Sequence, residues 1–159
     1  MSVLTVEDRL EIQELNARFA FAVDRHDYGA LREVFVPEAH YVSTNGTDVT
    51  GVEPLIAWFE SRVTPGVHRV TRHGLSSLIL TAIDAHSATG MSTWHTFATN
   101  ESSPSRVPVF QVADFADRYT RVDGRWWIAE RVTSPVFRDE SLAPAPLGGA
   151  TVSSQGAAS

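Results

Sequence analysis

The second half of this 159-residue chain contains four long runs of β-type residues separated by short turn signals. The separators are residues 84–87, residues 100–105 and the dipeptide Asp123-Gly124, and the dipeptide is a strong signal for a two-residue hairpin. Because consecutive hairpins make an antiparallel meander, the pattern predicts neighbouring strands over residues 69–83, 88–99, 106–122 and 125–133.

A long helix is predicted before these strands. Thr5 can cap its first turn, with acidic Asp8 three residues later, and the helical pattern runs to about His26. Its charged side is the solvent face. Asp24 projects about 120° away from that side at helical spacing, so its carboxylate is expected to point inward.

Shorter elements are predicted between the long helix and the meander. Asp27 can cap a short helix that Pro37 closes, residues 39–44 form a strand with Asn45-Gly46 as its turn, and residues 52–63 form a third helix. Helices followed by antiparallel strands indicate an α+β domain in which the helices cover one face of a curved sheet. Such a sheet, bent over a long helix, leaves a pocket between the two layers.

Composition is consistent with one domain and limits the partners. The chain is 43% hydrophobic and 20% charged, so residues 1–140 suit one compact domain, while the Ala, Pro, Gly and Ser of 141–159 predict a disordered tail. A net charge of −6 argues against nucleic acid or an anionic membrane as a partner. With no cysteine, no signal core and no stretch near the roughly 18 apolar residues of a membrane span, a cytoplasmic protein is expected.

Asp24 and His73 are the strongest candidates for chemistry. Each is an ionisable residue in an apolar segment, and a carboxylate that orients an imidazole is the usual way to make a general base near neutral pH. Strand alternation places His73 on one face with Leu75, Ser77 and Ile79. The alternatives are a core histidine with a satisfied hydrogen bond and an aspartate that only caps the next turn or pairs with a neighbouring arginine.

Other residues are candidates for polarising or binding a substrate. The hydroxyl of Tyr41 could donate to a substrate oxygen, or Tyr41 could be a half-buried sheet aromatic. Some of the large aromatics must line any cavity and favour a flat, apolar ligand; the candidates are Trp58, Phe59, Trp94, Phe115 and Trp127, with His95 if a β-bulge turns it inward. The six histidines lack metal-binding spacing, so neither a metal nor another cofactor is expected.

The order of several segments resembles the SnoaL-like branch of the nuclear-transport-factor-2-like superfamily. The segments are Asp24 to Phe35, Ala39 to Val42, Gly51 to Ile56, Thr71 to Gly74 and Asp117 to Arg131. The resemblance implies an α+β cone, in which a curved sheet wraps around N-terminal helices and encloses an apolar cavity. It also implies a homodimer or homotrimer built on the outer face of the sheet.

The resemblance extends to individual residues. Asp24 and His73 match the acid–base pair that scytalone dehydratase and hexachlorocyclohexane dehydrochlorinase share, and Arg131 matches an active-site arginine of the dehydrochlorinase. Arg131 is therefore a second candidate for polarising a substrate, and the alternative is a structural arginine that only bridges Asp24 or Glu130. Phe115 stands where scytalone dehydratase has an active-site asparagine. These matches imply a cofactor-independent lyase or isomerase, of the dehydratase or cyclase kind, that acts on a small apolar cyclic metabolite of polyketide, terpenoid or steroid type.

A second hypothesis comes from a different class of protein. A non-catalytic module that binds a small molecule or supports assembly could keep the same cone without doing chemistry. That hypothesis predicts that Asp24 and His73 do not touch or that aromatic side chains fill the cavity. An enzyme requires contact between the two residues beside an open pocket.

Overall fold

The computed structural model describes residues 3–101 and 107–144, which form two α-helices, six strands and two short 3₁₀ helices. The helices are α1 (Val6–Asp24) and α2 (Val52–Glu60), and the 3₁₀ helices are Tyr28–Glu33 and Glu140–Leu142. The strands are β1 (Phe35–Ser43), β2 (Thr47–Thr50), β3 (Val70–Ala82), β4 (Ser87–Thr99), β5 (Val109–Val122) and β6 (Arg125–Arg138).

All six strands form one curved, unclosed sheet in the order β2-β1-β6-β5-β4-β3. Strands β3 to β6 pair as the antiparallel meander that the turn signals predict, and the α+β fold class is confirmed. The sheet also contains one parallel pair, which the turn signals do not predict, because β1 lies parallel to β6. This pairing joins segments about 90 residues apart, which local turn chemistry does not determine.

The helical predictions are correct in position but extend too far. The capping box at Thr5 and Asp8 is present, and α1 ends at Asp24, just before His26 takes a positive φ of 56°. The predicted short helix after Asp27 is a 3₁₀ helix, and strand β1 already begins at Phe35. Pro37 lies inside β1 where the pairing with β6 is irregular, a position in which the missing N–H is tolerated.

The predicted alternation along β3 is wrong beyond a β-bulge at Ser77. Ser77 has a positive φ of 53°, and the pairing with β4 shifts between Ser76 and Leu78. The extra residue reverses the alternation, so Ile79 is 70% exposed instead of sharing the inner face with His73.

The helices pack on the concave face of the sheet and form the core with it. Phe19 of α1 contacts the rings of Phe35, Phe59 and Trp94 edge-on, with centroid separations of 6.0, 6.3 and 5.9 Å. None of the helices in the described residues is both long and apolar enough to span a membrane.

The predicted tail is only partly described. Residues 140–142 form a 3₁₀ helix, and the backbone carbonyl of Leu142 accepts a 2.9 Å hydrogen bond from Arg69. The first residues after 140 therefore pack against the domain, while 145–159 and the predicted strand start at 106 lie outside the described residues.

Candidate active site

Asp24 and His73 contact each other at the end of α1. Nδ1 of His73 lies 2.6 Å from Oδ1 of Asp24, and the backbone N–H of His73 donates to Oδ2 at 2.8 Å. The hydroxyl of Thr71 donates to Oδ1 at 2.8 Å. The two side chains are largely buried, with Asp24 6% and His73 15% exposed. The carboxylate therefore accepts hydrogen bonds from three donors and is largely shielded from solvent.

These contacts determine the protonation of Asp24. Burial by itself would raise the pKa of Asp24, but the hydrogen bonds and charge of His73 and the hydroxyl of Thr71 outweigh it, so the pKa lies below its usual value. An ionised carboxylate only accepts hydrogen bonds, so Nδ1 of His73 must carry a proton. In the neutral ring this leaves Nε2 unprotonated and available as a base.

The local sequence explains how the pair is assembled. Asp24 is the last residue of α1, and Thr71 and His73 are two residues apart on the same face of β3. The helix end therefore meets one face of the strand, and that face supplies both side-chain donors. Thr71 was not predicted as a site residue. Its position two residues before His73 on the same strand indicates that the two side chains share a face of the sheet.

A cavity of about 140 Å³ lies between the helices and the sheet, and His73 is part of its wall. Of the other predicted site residues, the cavity lining includes Tyr41, Trp58, Phe59 and Phe115. The structure thus brings five of the ten predicted residues to one cavity, with Asp24 directly behind His73.

Three predicted ligand contacts lie elsewhere. Trp94 is 1% exposed and stacks on Phe115 from outside the cavity wall, with the ring centroids 4.9 Å apart. His95 lies between Trp94 and cavity-lining Thr96, so alternation directs it to the opposite face of the sheet. Trp127 lies under the guanidinium group of Arg125, at 4.1 Å from the ring centroid. None of the three is in the cavity lining formed by residues 3–101 and 107–144.

Arg131 is close to the cavity but fully buried behind it. Its guanidinium forms a bidentate ion pair with Asp117, with both contacts at 2.8 Å, and Nη2 also donates to Asn16. The guanidinium carbon lies 4.4 Å from the ring centroid of Phe19, which lines the cavity. The geometry favours a structural role for Arg131, and its contact with a substrate stays a prediction.

Tyr41 has the protonation state that a hydrogen-bond donor requires. Burial raises the pKa of Tyr41, although the charges of Arg131 and Arg62 oppose the shift. The hydroxyl therefore keeps its proton at neutral pH. Since both Tyr41 and His73 line the cavity, a phenol donor and an imidazole base face the same space.

Sequence reasoning missed a group of cationic residues in the same lining: Arg62, Arg69 and Arg138. They come from the segment after α2, the residue before β3 and the last residue of β6. No local pattern links positions so far apart. Within the described part of the chain, no group of three or more His, Asp or Glu side chains is arranged to hold a metal ion.

The fold and the cavity together define an α+β cone of the nuclear-transport-factor-2-like superfamily. The sequence model of the SnoaL-like domain matches residues 4–132. The chain therefore belongs to the SnoaL-like family. No curated protein matches the chain significantly.

Solved structures with the same fold span nearly the whole chain. A protein of unknown function with a cystatin-like fold from Nostoc punctiforme PCC 73102 is 25% identical, with a TM-score of 0.72 over 89% of this chain and 98% of that one. A candidate scytalone dehydratase from Novosphingobium aromaticivorans DSM 12444 is 16% identical, with a TM-score of 0.73 over 92% and 97%. The hexachlorocyclohexane dehydrochlorinase LinA-type3 from Novosphingobium barchaimii LL02 is 18% identical, with a TM-score of 0.69 over 84% and 90%.

Proposed function

We propose that the protein is a cofactor-independent lyase or isomerase that removes a proton from a carbon of a small cyclic substrate. The observation that carries the proposal is the 2.6 Å contact between Asp24 and Nδ1 of His73 at the wall of a cavity. Similarity in fold to a dehydratase and a dehydrochlorinase is consistent with this class of reaction.

His73 is the general base of the proposed reaction. Ionised Asp24 accepts the hydrogen bond from Nδ1–H, fixes the tautomer and makes Nε2 the better base. Nε2 takes the proton from a substrate carbon, and the electron pair of the broken C–H bond forms a double bond. In an elimination a leaving group departs with its own electron pair, and in an isomerisation the proton returns at another carbon. A positioned base of this kind contributes about 10² to 10⁴ in rate.

Tyr41 is the candidate hydrogen-bond donor to the substrate. Its protonated hydroxyl can donate to a substrate oxygen on which negative charge develops, and one such donor is worth about 10² to 10³ in rate. Trp58, Phe59 and Phe115 supply aromatic surface for a ring. The cavity volume of about 140 Å³ lies below the roughly 300–1,000 Å³ of typical ligand pockets, so it favours a small ring over a polycyclic skeleton.

The alternative is a binding or assembly module with the same fold. It predicts separated Asp24 and His73 side chains or a filled cavity, whereas the two residues touch and the cavity is present. These observations favour the enzyme over the module.

An NMR measurement of the histidine rings tests the proposal without a substrate. In ¹⁵N-labelled wild-type protein, the neutral form of His73 should carry its proton on Nδ1 and leave Nε2 unprotonated. Asp24→Asn should abolish this single tautomer. Asp48→Asn is the matched control, since Asp48 contacts His40 at 2.7 Å on the surface and should leave His73 unchanged. If His73 is unchanged in Asp24→Asn, the residues are not coupled and the binding module becomes the better hypothesis.

We also propose that the protein is a homo-oligomer, a dimer or trimer, assembled through the outer face of the sheet. Ile79 and Met91 are opposite each other on β3 and β4 and are 70% and 54% exposed, which leaves an apolar pair for a second copy to cover. A monomeric molar mass by light scattering would contradict this proposal. The cytoplasmic location stays a prediction.

A further inference from the structure

Three arginines of different elements line the proposed active-site cavity. Arg62 follows α2, Arg69 immediately precedes β3, and Arg138 ends β6. All three side chains are partly buried. The mechanism above does not use any of them, so their presence around one small cavity needs a separate explanation.

Each of the three guanidinium groups lies against an aromatic ring. The guanidinium carbons of Arg69 and Arg138 lie 5.4 and 4.9 Å from the centroid of the same ring, Phe110. That of Arg62 lies 4.5 Å from the ring of Trp58. A ring against the face of a guanidinium leaves the N–H groups at its edge accessible. Some of these groups already donate, from Arg69 to Asn100 and Leu142 and from Arg138 to Glu140 and Gln111, and the others can donate to an anion.

The positive charge around the cavity is poorly neutralised. Among the described residues, the lining contains no aspartate or glutamate. Arg138 pairs with Glu140 at 2.5 Å, but Glu140 is 73% exposed, and no carboxylate in residues 3–101 and 107–144 forms an ion pair with Arg62 or Arg69. The cavity is therefore cationic in a protein whose net charge is −6.

Arg69 also has neutral partners that leave its charge in place. It donates to the side-chain oxygen of Asn100 at 3.0 Å and to the carbonyl of Leu142 at 2.9 Å. Burial and the nearby charges of Arg62 and Arg138 lower the pKa of Arg69 to about 10, so it stays protonated at neutral pH. Burial likewise lowers the pKa of Arg62. An anion in the cavity would relieve the repulsion among these cations.

We propose that the cavity binds a small ring compound that carries an anionic group, a carboxylate or a phosphate ester. Arg62, Arg69 and Arg138 hold the anion through charge-assisted hydrogen bonds, and the ring extends toward His73 across the same cavity. This inference rests on the proposed function and narrows its substrate class. A purely apolar substrate would leave the partly buried charges of Arg62 and Arg69 without a counter-ion among the described residues.

Binding of three single-ring probes tests the inference. Benzoate, phenyl phosphate and neutral benzamide have the same ring, and isothermal titration calorimetry measures each affinity. Wild-type protein should bind at least one of the two anions about tenfold or more tightly than benzamide, which corresponds to about 1.4 kcal/mol. The tighter of the two identifies the anion as carboxylate or phosphate ester.

Variants locate the anion site. Arg69→Gln and Arg138→Gln should each weaken binding of the preferred anion about tenfold. Arg9→Gln removes an exposed charge from α1 and should leave the affinity unchanged. Arg69→Lys keeps the charge and should retain more affinity than Arg69→Gln, which separates loss of charge from damage to the fold.

The anion-binding experiment and the NMR test of the Asp24–His73 pair can fail independently. His73→Ala should keep the anion affinity, because the arginines and not the imidazole hold the anion. Equal binding of benzamide and both anions, or no binding of either anion, would overturn the inference. A negative NMR result for the Asp24–His73 pair with intact anion binding would refute only the proposed catalysis.

Discussion

Replacing Arg131 by Met removes one partner of a fully buried ion pair. Arg131 is 0% exposed and the Asp117 side chain 1% exposed, and the two 2.8 Å contacts of the guanidinium are the main compensation for the buried carboxylate. In Arg131→Met only the hydroxyl of Tyr119, at 2.8 Å, would still donate to Asp117 among the described contacts. Met fills much of the same volume, so the change acts mostly on charge.

The expected loss is large. Removing one partner of a buried ion pair typically costs about 3–5 kcal/mol, out of a total stability of about 5–15 kcal/mol. Urea unfolding followed by tryptophan fluorescence measures the free energy of unfolding. Removing Asp117 as well, in Arg131→Met with Asp117→Leu, should give a protein no less stable than the single variant, because no unpaired charge remains.

Arg18→Met is the matched control for this experiment. Arg18 pairs with Glu14 at 2.7 Å, but the two side chains are 52% and 65% exposed, so the loss should be below about 1 kcal/mol. If Arg131→Met is as stable as Arg18→Met, Arg131 does not support the fold. Its predicted role as a substrate contact would then become the better interpretation.

Two further predictions concern Asp24 and Gly90. Because the pKa of Asp24 is depressed in the folded protein, its ionised form stabilises the fold above the unfolded pKa of about 3.9, and that contribution is lost as the pH falls through the lower folded value. Urea unfolding at neutral and acid pH should show a smaller acid-induced loss in Asp24→Asn than in wild type; an equal loss would contradict the prediction. A methyl group on Gly90 would lie 2.8 Å from Cε2 of buried Tyr119, so Gly90→Ala should cost about 1–3 kcal/mol by thermal or urea unfolding. Gly74→Ala is the control, since its nearest contact would be an ordinary 3.9 Å, and equal stability of the two variants would refute the steric argument.

Local sequence patterns predicted much of the fold because each depends on neighbours in the chain. The capping box at Thr5 and the hairpin at Asp123-Gly124 act within a few residues. Element ends were less accurate, as in α2, which ends at Glu60 and not at residue 63. The bulge at Ser77 was not predicted, because a single extra residue in a strand has no sequence pattern that distinguishes it from its neighbours.

In the candidate site, too, some features were predictable from the sequence and others depend on the tertiary structure. Asp24 and His73 stood out because an ionisable residue in an apolar segment is conspicuous, and the family resemblance linked the two. Their 2.6 Å contact and the burial of Arg131 behind the cavity wall depend on how α1 meets the sheet. The outward position of His95 follows instead from alternation along β4.

The sequence by itself determined the order of helices and strands, the meander and the two residues best suited to proton transfer, since these follow from periodicity, turn chemistry and residue type. Only the tertiary structure decided that β1 joins β6 in parallel and that Arg62, Arg69 and Arg138 surround one cavity. The reason is physical. Packing brings together residues as far apart as 62 and 138, and the charge, burial and hydrogen bonding of a side chain depend on those neighbours, which a linear pattern does not contain.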